Sequence, residues 1–272
     1  MRYKLVAMDC DGTLLSNNLE IPKKNIEVIQ KLSSQGVRFI IATGRSDVTV
    51  TRYVKELGIT SPVIGCNGAS TRDLLNNKLY SLHPIKKSPL IKLWQYFSSN
   101  NKPAQFFNMD SYYCITQENL DEVRTILETR DGYSIRQFNS YVADSASVLT
   151  DKSIIKTIYI SDDREDLLKT QKDLSNIDGI VAVRSAINCI DIVDENVSKG
   201  NALFEFMKKE GIKPEETVAI GDSENDYSML SRVGFSITFE NGDPLLKEIA
   251  NYITVSNTMG GLGSALETVF EI

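Results

Sequence analysis

Four aspartates stand in two polar turns, each behind a short apolar run. Asp9 and Asp11 lie in Asp9-Cys10-Asp11-Gly12-Thr13 after Leu5 to Met8. Asp222 and Asp226 lie in Gly221-Asp222-Ser223-Glu224-Asn225-Asp226 after Thr217 to Ile220. Two further polar turns follow apolar runs, Thr43-Gly44-Arg45 and Asn67-Gly68, and Lys199 stands in the first turn of a helix expected to start at Ser198. A lone aspartate behind a strand is ordinarily a turn former or a helix cap. Asp9, Asp222 and Asp226 drawn together would instead repel one another and resist ionising until a cation joined them. A hard divalent ion with oxygen ligands resolves this, and Mg²⁺ suits one or two carboxylates together with substrate phosphate and water. Donors for a phosphoryl group are present as well: the Thr43 hydroxyl, the unhindered Gly44 N–H and the Lys199 ammonium. A lysine at a helix N-terminus opposes the helix dipole, and a bound anion would offset that.

The elements that must position these residues follow from apolar patterning. Leu5 to Met8, Val37 to Ala42, Pro62 to Gly65 and Thr217 to Ile220 lack polar alternation, as buried strands of a parallel sheet do. Between them, Ile26, Ile29 and Leu32 make a helical stripe opened by Pro22 and stopped by Gly36. A second helix carries Val48, Tyr53, Val54 and Leu57 and ends at Gly58; a third runs from Ser198 to Gly211. Strand and helix alternate, so the fold class is α/β with a parallel sheet covered on both faces. In such sheets ligands bind beyond the carboxyl ends of the strands, where all these polar turns fall. The middle of the chain reads differently. Helices are expected at Leu90–Phe97, Asn119–Arg130 and Arg164–Leu174, with strands at Ala104–Met109, Tyr112–Thr116, Ile154–Ser161, Ile180–Arg184 and Cys189–Val193; Asn139–Asp151 gives no clear pattern. That is an α+β unit inserted into the sheet domain. The expected division is residues 1–83 with 194–272 for the sheet domain, and 84–193 for the insertion.

Bulk properties exclude several classes. The chain has 272 residues, 42% of them hydrophobic, enough to bury a core without staples. Its net charge is −6 and it has no long basic run, so no nucleic-acid partner is expected. Cys10, Cys66, Cys114 and Cys189 show no C-x-x-C spacing, so they read as reduced thiols and not as a zinc or redox site. No apolar run reaches the ~20 residues of a membrane span, and the expected location is the cytoplasm. The single histidine, His83, sits at an expected domain joint, where a hinge or surface role suits it; with one imidazole, hydrolysis would rest on carboxylates. Trp94, Phe106, Phe107, Tyr112 and Tyr113 read as core and hairpin residues of the insertion.

Asp9-Cys10-Asp11-Gly12-Thr13-Leu14 resembles the D-x-D-G-T-L signature of the haloacid dehalogenase superfamily. Ala42-Thr43-Gly44-Arg45, Val197-Ser198-Lys199-Gly200 and Gly221-Asp222-Ser223-Glu224-Asn225-Asp226 resemble its second, third and fourth motifs, in order. The form of the fourth motif and the place of the insertion resemble the Cof-like branch, subclass IIB, of sugar-phosphatase type. The resemblance implies a Rossmann-like parallel sheet core with an inserted α+β cap that decides the substrate. It implies that Asp9 is the nucleophile of an aspartyl-phosphate mechanism and Asp11 the general acid and base. Mg²⁺ would be held by Asp9, the backbone carbonyl of Asp11, Asp222 and Asp226. Thr43, Gly44, Lys199, Asn225 and the backbone N–H of Cys10 would bind the phosphoryl group. The implied partner is a small phosphorylated metabolite, and the implied state a monomer or small homo-oligomer. A phosphomutase on the same scaffold and a non-catalytic phospho-ligand sensor are the alternatives, although a sensor has no need of a nucleophile beside a general acid. Two loops depart from the branch, 236–242 and 256–261, where Ser236-Ile237-Thr238-Phe239-Glu240-Asn241-Gly242 and Ser256-Asn257-Thr258-Met259-Gly260-Gly261 replace its usual residues.

Overall fold

The computed structural model describes residues 2–130 and 138–272. The chain divides into two compact units, Met1–Ser81 with Ser198–Ile272, and Leu82–Val197. In chain order the first segment holds β1 (Leu5–Met8), α1 (Lys23–Ser34), β2 (Arg38–Ile41), α2 (Thr51–Leu57), β3 (Val63–Gly65), β4 (Ser70–Asp73) and β5 (Lys78–Leu82). The middle segment holds α3 (Lys87–Ser99), β6 (Ala104–Phe107), β7 (Ser111–Cys114), α4 (Gln117–Arg130), β8 (Asn139–Val142), α5 (Ala146–Leu149), β9 (Lys156–Ile160), α6 (Arg164–Leu174), β10 (Ile180–Ala186) and β11 (Cys189–Asp194). The last segment holds α7 (Lys199–Glu210), β12 (Thr217–Ile220), α8 (Tyr227–Leu230), β13 (Phe235–Phe239), α9 (Pro244–Ile249), β14 (Tyr252–Thr254) and α10 (Gly261–Phe270).

The split unit is built on a parallel sheet in the order β14-β13-β12-β1-β2. All four residues of β1 and of β12 are buried, because helices cover both faces of these central strands. On one face Val6, Met8, Phe39, Ile41, Val218 and Ile220 meet Val28, Ile29 and Leu32 of α1 and Leu262 and Leu266 of α10. On the other, Leu5, Ala7, Ile40 and Ala219 meet Leu203, Phe206 and Met207 of α7 and Met229 and Leu230 of α8. Pro22 stands one residue before its expected place: it caps α1 from outside, its carbonyl accepting from Asn25 and Ile26 at 2.8 and 3.3 Å. Gly58 and Gly211 end α2 and α7 at φ 67°, the left-handed stop a glycine makes without strain. The third strand leaves the main sheet. It touches β2 through one parallel bridge, Ala42 to Ile64, and pairs antiparallel with β4 in a three-stranded sheet β3-β4-β5.

The inserted unit is a six-stranded sheet, β10-β11-β9-β6-β7-β8, with every described pair antiparallel except β7 with β8. Its core joins Leu90, Leu93 and Phe97 of α3 to Phe106, Tyr113, Tyr159, Ile190 and Ile192. Trp94 borders this core and donates its indole N–H to the Ala143 carbonyl at 2.9 Å. Tyr112 packs instead with Leu120 and Val123 of α4, with Phe107 against them. The segment without a clear pattern supplies β8 and α5. His83 is exposed directly after β5. Among the described residues no helix is long and apolar enough to cross a membrane.

Candidate active site

The two central strands set the site. Asp9 follows β1 and donates its N–H to the Ile220 carbonyl at 3.0 Å, so the chain is still tied to β12 where the nucleophile candidate emerges. Gly12 then turns at φ 73°, and a Cβ there would lie 2.4 Å from Asp222 Oδ2. Only glycine lets the turn after β1 approach the turn after β12 so closely. Thr13 Oγ1 donates to Asp222 Oδ1 at 2.7 Å, and Ser223 Oγ donates to Asp222 Oδ2 at 3.0 Å, which fixes that carboxylate. Asp226 closes the second turn on itself: its Oδ2 accepts from the N–H groups of Asp222 and Ser223 at 2.9 and 3.0 Å. Gly221 lies beneath it, where a Cβ would come within 2.4 Å of the Asp226 carboxyl carbon.

Lys199 is the first residue of α7, after Ser198, whose Oγ accepts from Asn201 N at 3.0 Å as the expected cap. Its side chain has no solvent exposure, and Nζ donates to Asp9 Oδ1 and Asp226 Oδ1, both at 2.6 Å. Carboxylate oxygens of Asp9, Asp222 and Asp226 all lie within 4.8 Å of one another. Burial raises Asp9 well above the carboxylate range; Lys199 pulls it down, while Asp226, Asp222 and Asp11 push it further up. Asp222 is pushed up to about 6, by burial first and then by Asp226. Burial acts against the Lys199 ammonium, but Asp226 and Asp9 more than offset it and its pKa is raised.

This cluster fits a divalent metal ion. Its donors are hard oxygens, and with all groups ionised three carboxylates face one ammonium, leaving two negative charges that a divalent cation would neutralise. Asp9 and Asp222 are the carboxylates suited to hold it. Both Asp226 oxygens are already engaged, by Lys199 and by two backbone N–H groups. Asp226 therefore sets the turn and the lysine, and would support an ion from behind.

The other expected residues divide between this cluster and its flanks. Asp11 is half-exposed and is gripped by Arg45, whose Nε and Nη2 donate to Oδ2 and Oδ1 at 2.6 Å each. Thr43 is fully buried, and its Oγ1 accepts from Arg45 N at 3.0 Å; Gly44 is half-buried between them. Asn225 is buried at the start of the turn before α8 and donates Nδ2 to Asn67 Oδ1 at 2.9 Å, so its amide links the loops after β3 and β12. The Cys10 thiol is raised well above its ordinary range, by burial first and then by Asp11, which leaves the thiol inert. Arg45, Thr13, Ser223 and Asn67 carry contacts that the sequence alone does not reveal. Arg45, Thr13 and Ser223 lie inside the quoted motifs and Asn67 in the turn after the third strand, and the signal for Thr13 is a hydroxyl one residue beyond the glycine of the first turn.

The family of haloacid dehalogenase-like hydrolases matches residues 6–266. The chain belongs to this family. Within it the Cof-like branch is the matching one, and the hydrolase acts on phosphoric monoesters. It is similar to the Streptococcus pyogenes serotype M6 protein M6_Spy0533, at 31% identity over 98% of each chain. It is similar to the phosphatase YwpJ of Bacillus subtilis, at 26% identity over 97% of this hydrolase and 99% of the relative. Its fold is that of the subclass IIB sugar phosphatase BT4131, with a TM-score of 0.83 and 21% identity over 99% of this chain and 100% of the other.

Proposed function

We propose that this hydrolase is a Mg²⁺-dependent phosphatase of small phosphorylated metabolites that works through an aspartyl phosphate on Asp9. The observation that carries the reading is the buried cluster in which Lys199 bonds both Asp9 and Asp226 while Asp222 stands alongside. Lys199 opposes the effect of burial on Asp9 and so favours the carboxylate form that a nucleophile needs, and a cation bound beside it would favour that form further. An Asp9 oxygen attacks phosphorus, the bond from phosphorus to the ester oxygen breaks, and Asp11 gives that oxygen its proton. Water then attacks phosphorus, Asp11 takes the water's proton, and the bond to Asp9 breaks to release phosphate. Asp9, Asp222 and the Asp11 carbonyl would hold Mg²⁺, with Asp226 in support; the ion would supply charge neutralisation for the transferring group. Thr43, Gly44, Lys199, Asn225 and the Cys10 N–H would position the phosphoryl oxygens.

Acid–base help accounts for only about 10²–10⁴ of the rate. Uncatalysed phosphate-monoester hydrolysis is slow enough to require up to ~10²¹-fold acceleration. Most of the effect must therefore come from charge and positioning in the buried cluster. The inserted unit would select the leaving group, with a sugar phosphate or a similar metabolite as substrate and the cytoplasm as location. The test is phosphate release from a panel of phosphorylated metabolites and 4-nitrophenyl phosphate, with Mg²⁺ or chelator, for wild type and Asp9→Asn. Release that needs both Mg²⁺ and Asp9 is expected, with at least about 10³-fold loss in the variant. Release that survives Asp9→Asn in folded protein would sink the mechanism, and an isomerised sugar phosphate in place of free phosphate would make the enzyme a mutase.

A further inference from the structure

Asp11 and Arg45 form a planar, two-pronged pair: Nε to Oδ2 and Nη2 to Oδ1, both 2.6 Å. The Asp11 side chain is 47% exposed and the Arg45 side chain 20%. With its carboxylate half-exposed, such a pair contributes modestly to stability. Its geometry does more. A guanidinium fork meeting a carboxylate in one plane fixes both oxygens at once, which a lysine cannot do. The arginine is itself anchored on both sides: its N–H donates to Thr43 Oγ1 at 3.0 Å and its carbonyl accepts from Cys66 N at 2.8 Å. Thr43 N in turn donates to the Ile64 carbonyl at 2.8 Å. The fork therefore stands on the ends of β2 and β3, while Asp11 lies in a turn whose backbone is not helical at Asp11 or Gly12.

We propose that Arg45 is the positioning residue for Asp11, and that the hydrolysis of the aspartyl phosphate depends on it more than the formation of that intermediate does. The inference rests on the phosphatase reading of the site. In the first half-reaction Asp11 carries a proton on one oxygen, so the fork relaxes to the other oxygen while the proton passes to the departing ester oxygen. In the second half-reaction Asp11 is a carboxylate: water attacks phosphorus, the bond from phosphorus to Asp9 breaks, and one Asp11 oxygen takes the proton. The two-pronged pair observed is the geometry of that second step. An aryl phosphate, whose leaving oxygen hardly needs a proton, bypasses the first demand on Asp11 and leaves the second in place.

The test is rapid-quench kinetics of the full chain with Mg²⁺, using 4-nitrophenyl phosphate labelled with ³²P and, separately, glycerol phosphate. Wild type, Arg45→Met and Arg45→Lys are compared. Arg45→Met is expected to lower steady-state aryl phosphate turnover by about 10- to 100-fold, part of the roughly 10²–10⁴ of an acid–base contribution because Asp11 itself remains, while the first-turnover nitrophenolate burst slows by less than about threefold. Protein-bound ³²P should accumulate to nearly one per site, and with glycerol phosphate both phases should slow. Arg45→Lys, which keeps the charge without the fork, should behave more like Arg45→Met than like wild type. Burst and steady state falling together on the aryl ester, full turnover in Arg45→Met, or full rescue by Arg45→Lys would each overturn the assignment. Wild type that acquires no Asp9-dependent label would overturn the underlying phosphatase reading instead. Thermal melts check folding, and if Arg45→Met does not melt cooperatively the Arg45→Lys comparison decides.

Discussion

Among the described residues each unit buries one lysine, and the two are used differently. In the split unit Lys199 is fully buried against Asp9 and Asp226, with Asp222 nearby. In the inserted unit Lys156 is nearly as buried and lies 3.4 Å from Asp191, over the rim of the Phe107 ring at 6.0 Å. The second arrangement sets a cation beside an anion on neighbouring strands β9 and β11, and Asp191 also accepts from the Cys189 thiol at 3.9 Å. The first sets one cation against three anions and is unbalanced by design. Burial of a lysine is therefore not itself the mark of a site; surplus charge of one sign in a dry place is.

The largest effect is expected at Asp222. Asp222→Ala removes a surplus anion, so it is expected to abolish turnover, by about 10³-fold or more, while the fold is kept or made firmer. Phosphate release and a chemical melt would check both halves. Lys199→Met removes the one cation and should cost about 3–5 kcal/mol in chelator, the scale for stripping a buried charge of its partner, with part recovered on adding Mg²⁺. Lys156→Met should cost a similar amount, but no Mg²⁺ recovery is expected, and the double change Lys156→Met with Asp191→Leu should return most of the loss. A Mg²⁺ response at Lys156 would erase the distinction.

The surplus also has a pH signature. Burial and Asp226 push Asp222 up to about 6 in the folded protein, and burial also raises Asp9 well above its ordinary value. The folded state therefore holds these protons more tightly than the unfolded chain. The stability that the Asp222 proton confers is complete in acid and is lost as pH rises through its folded value near 6, and Asp9 acts in the same direction. Mg²⁺ competes with the same protons, so the melting temperature gained on adding it should be small at pH 5 and larger at pH 7.5. Calorimetry at the two pH values measures it; an equal gain at both would remove the coupling. The smallest expected effect is structural. Ser198→Ala loses the α7 cap and should cost about 1 kcal/mol, with turnover falling only as far as Lys199 is displaced.

How far the sequence could be read follows the same physics. The turns behind β1 and β12 are conspicuous because four apolar residues with no alternation end abruptly in aspartate and glycine, and α7 declares itself by a serine cap and a glycine stop. The β4–β5 hairpin was invisible. Ser-Thr-Arg-Asp carries no strand periodicity, and the first three residues of β5 are exposed, so no apolar pattern is needed to hold that edge. The departure of β3 into this small sheet was hidden for the same reason. Side-chain partnerships across long sequence distances were hidden too. Arg45 stood in plain view, but nothing local says that its guanidinium reaches back 34 residues to Asp11. Asn225 is the converse case: its motif suggests a phosphate donor, and the fold gives its amide N–H a carbonyl partner on Asn67.

The central position of β1 has a consequence for synthesis. Its neighbours are β2, a short distance along the chain, and β12, which begins only at Thr217 after the whole of Leu82–Val197 has been made. At roughly 5–20 residues per second, the ribosome takes on the order of ten seconds to cross that interval. Through it β1 and β2 wait with an apolar edge unsatisfied, while the inserted unit, whose strands are contiguous in the chain, can fold as it emerges. The nascent protein is thus completed from the inside outwards: the part encoded in the middle can mature first, and the half-built sheet that precedes it is the stretch that a chaperone would find open.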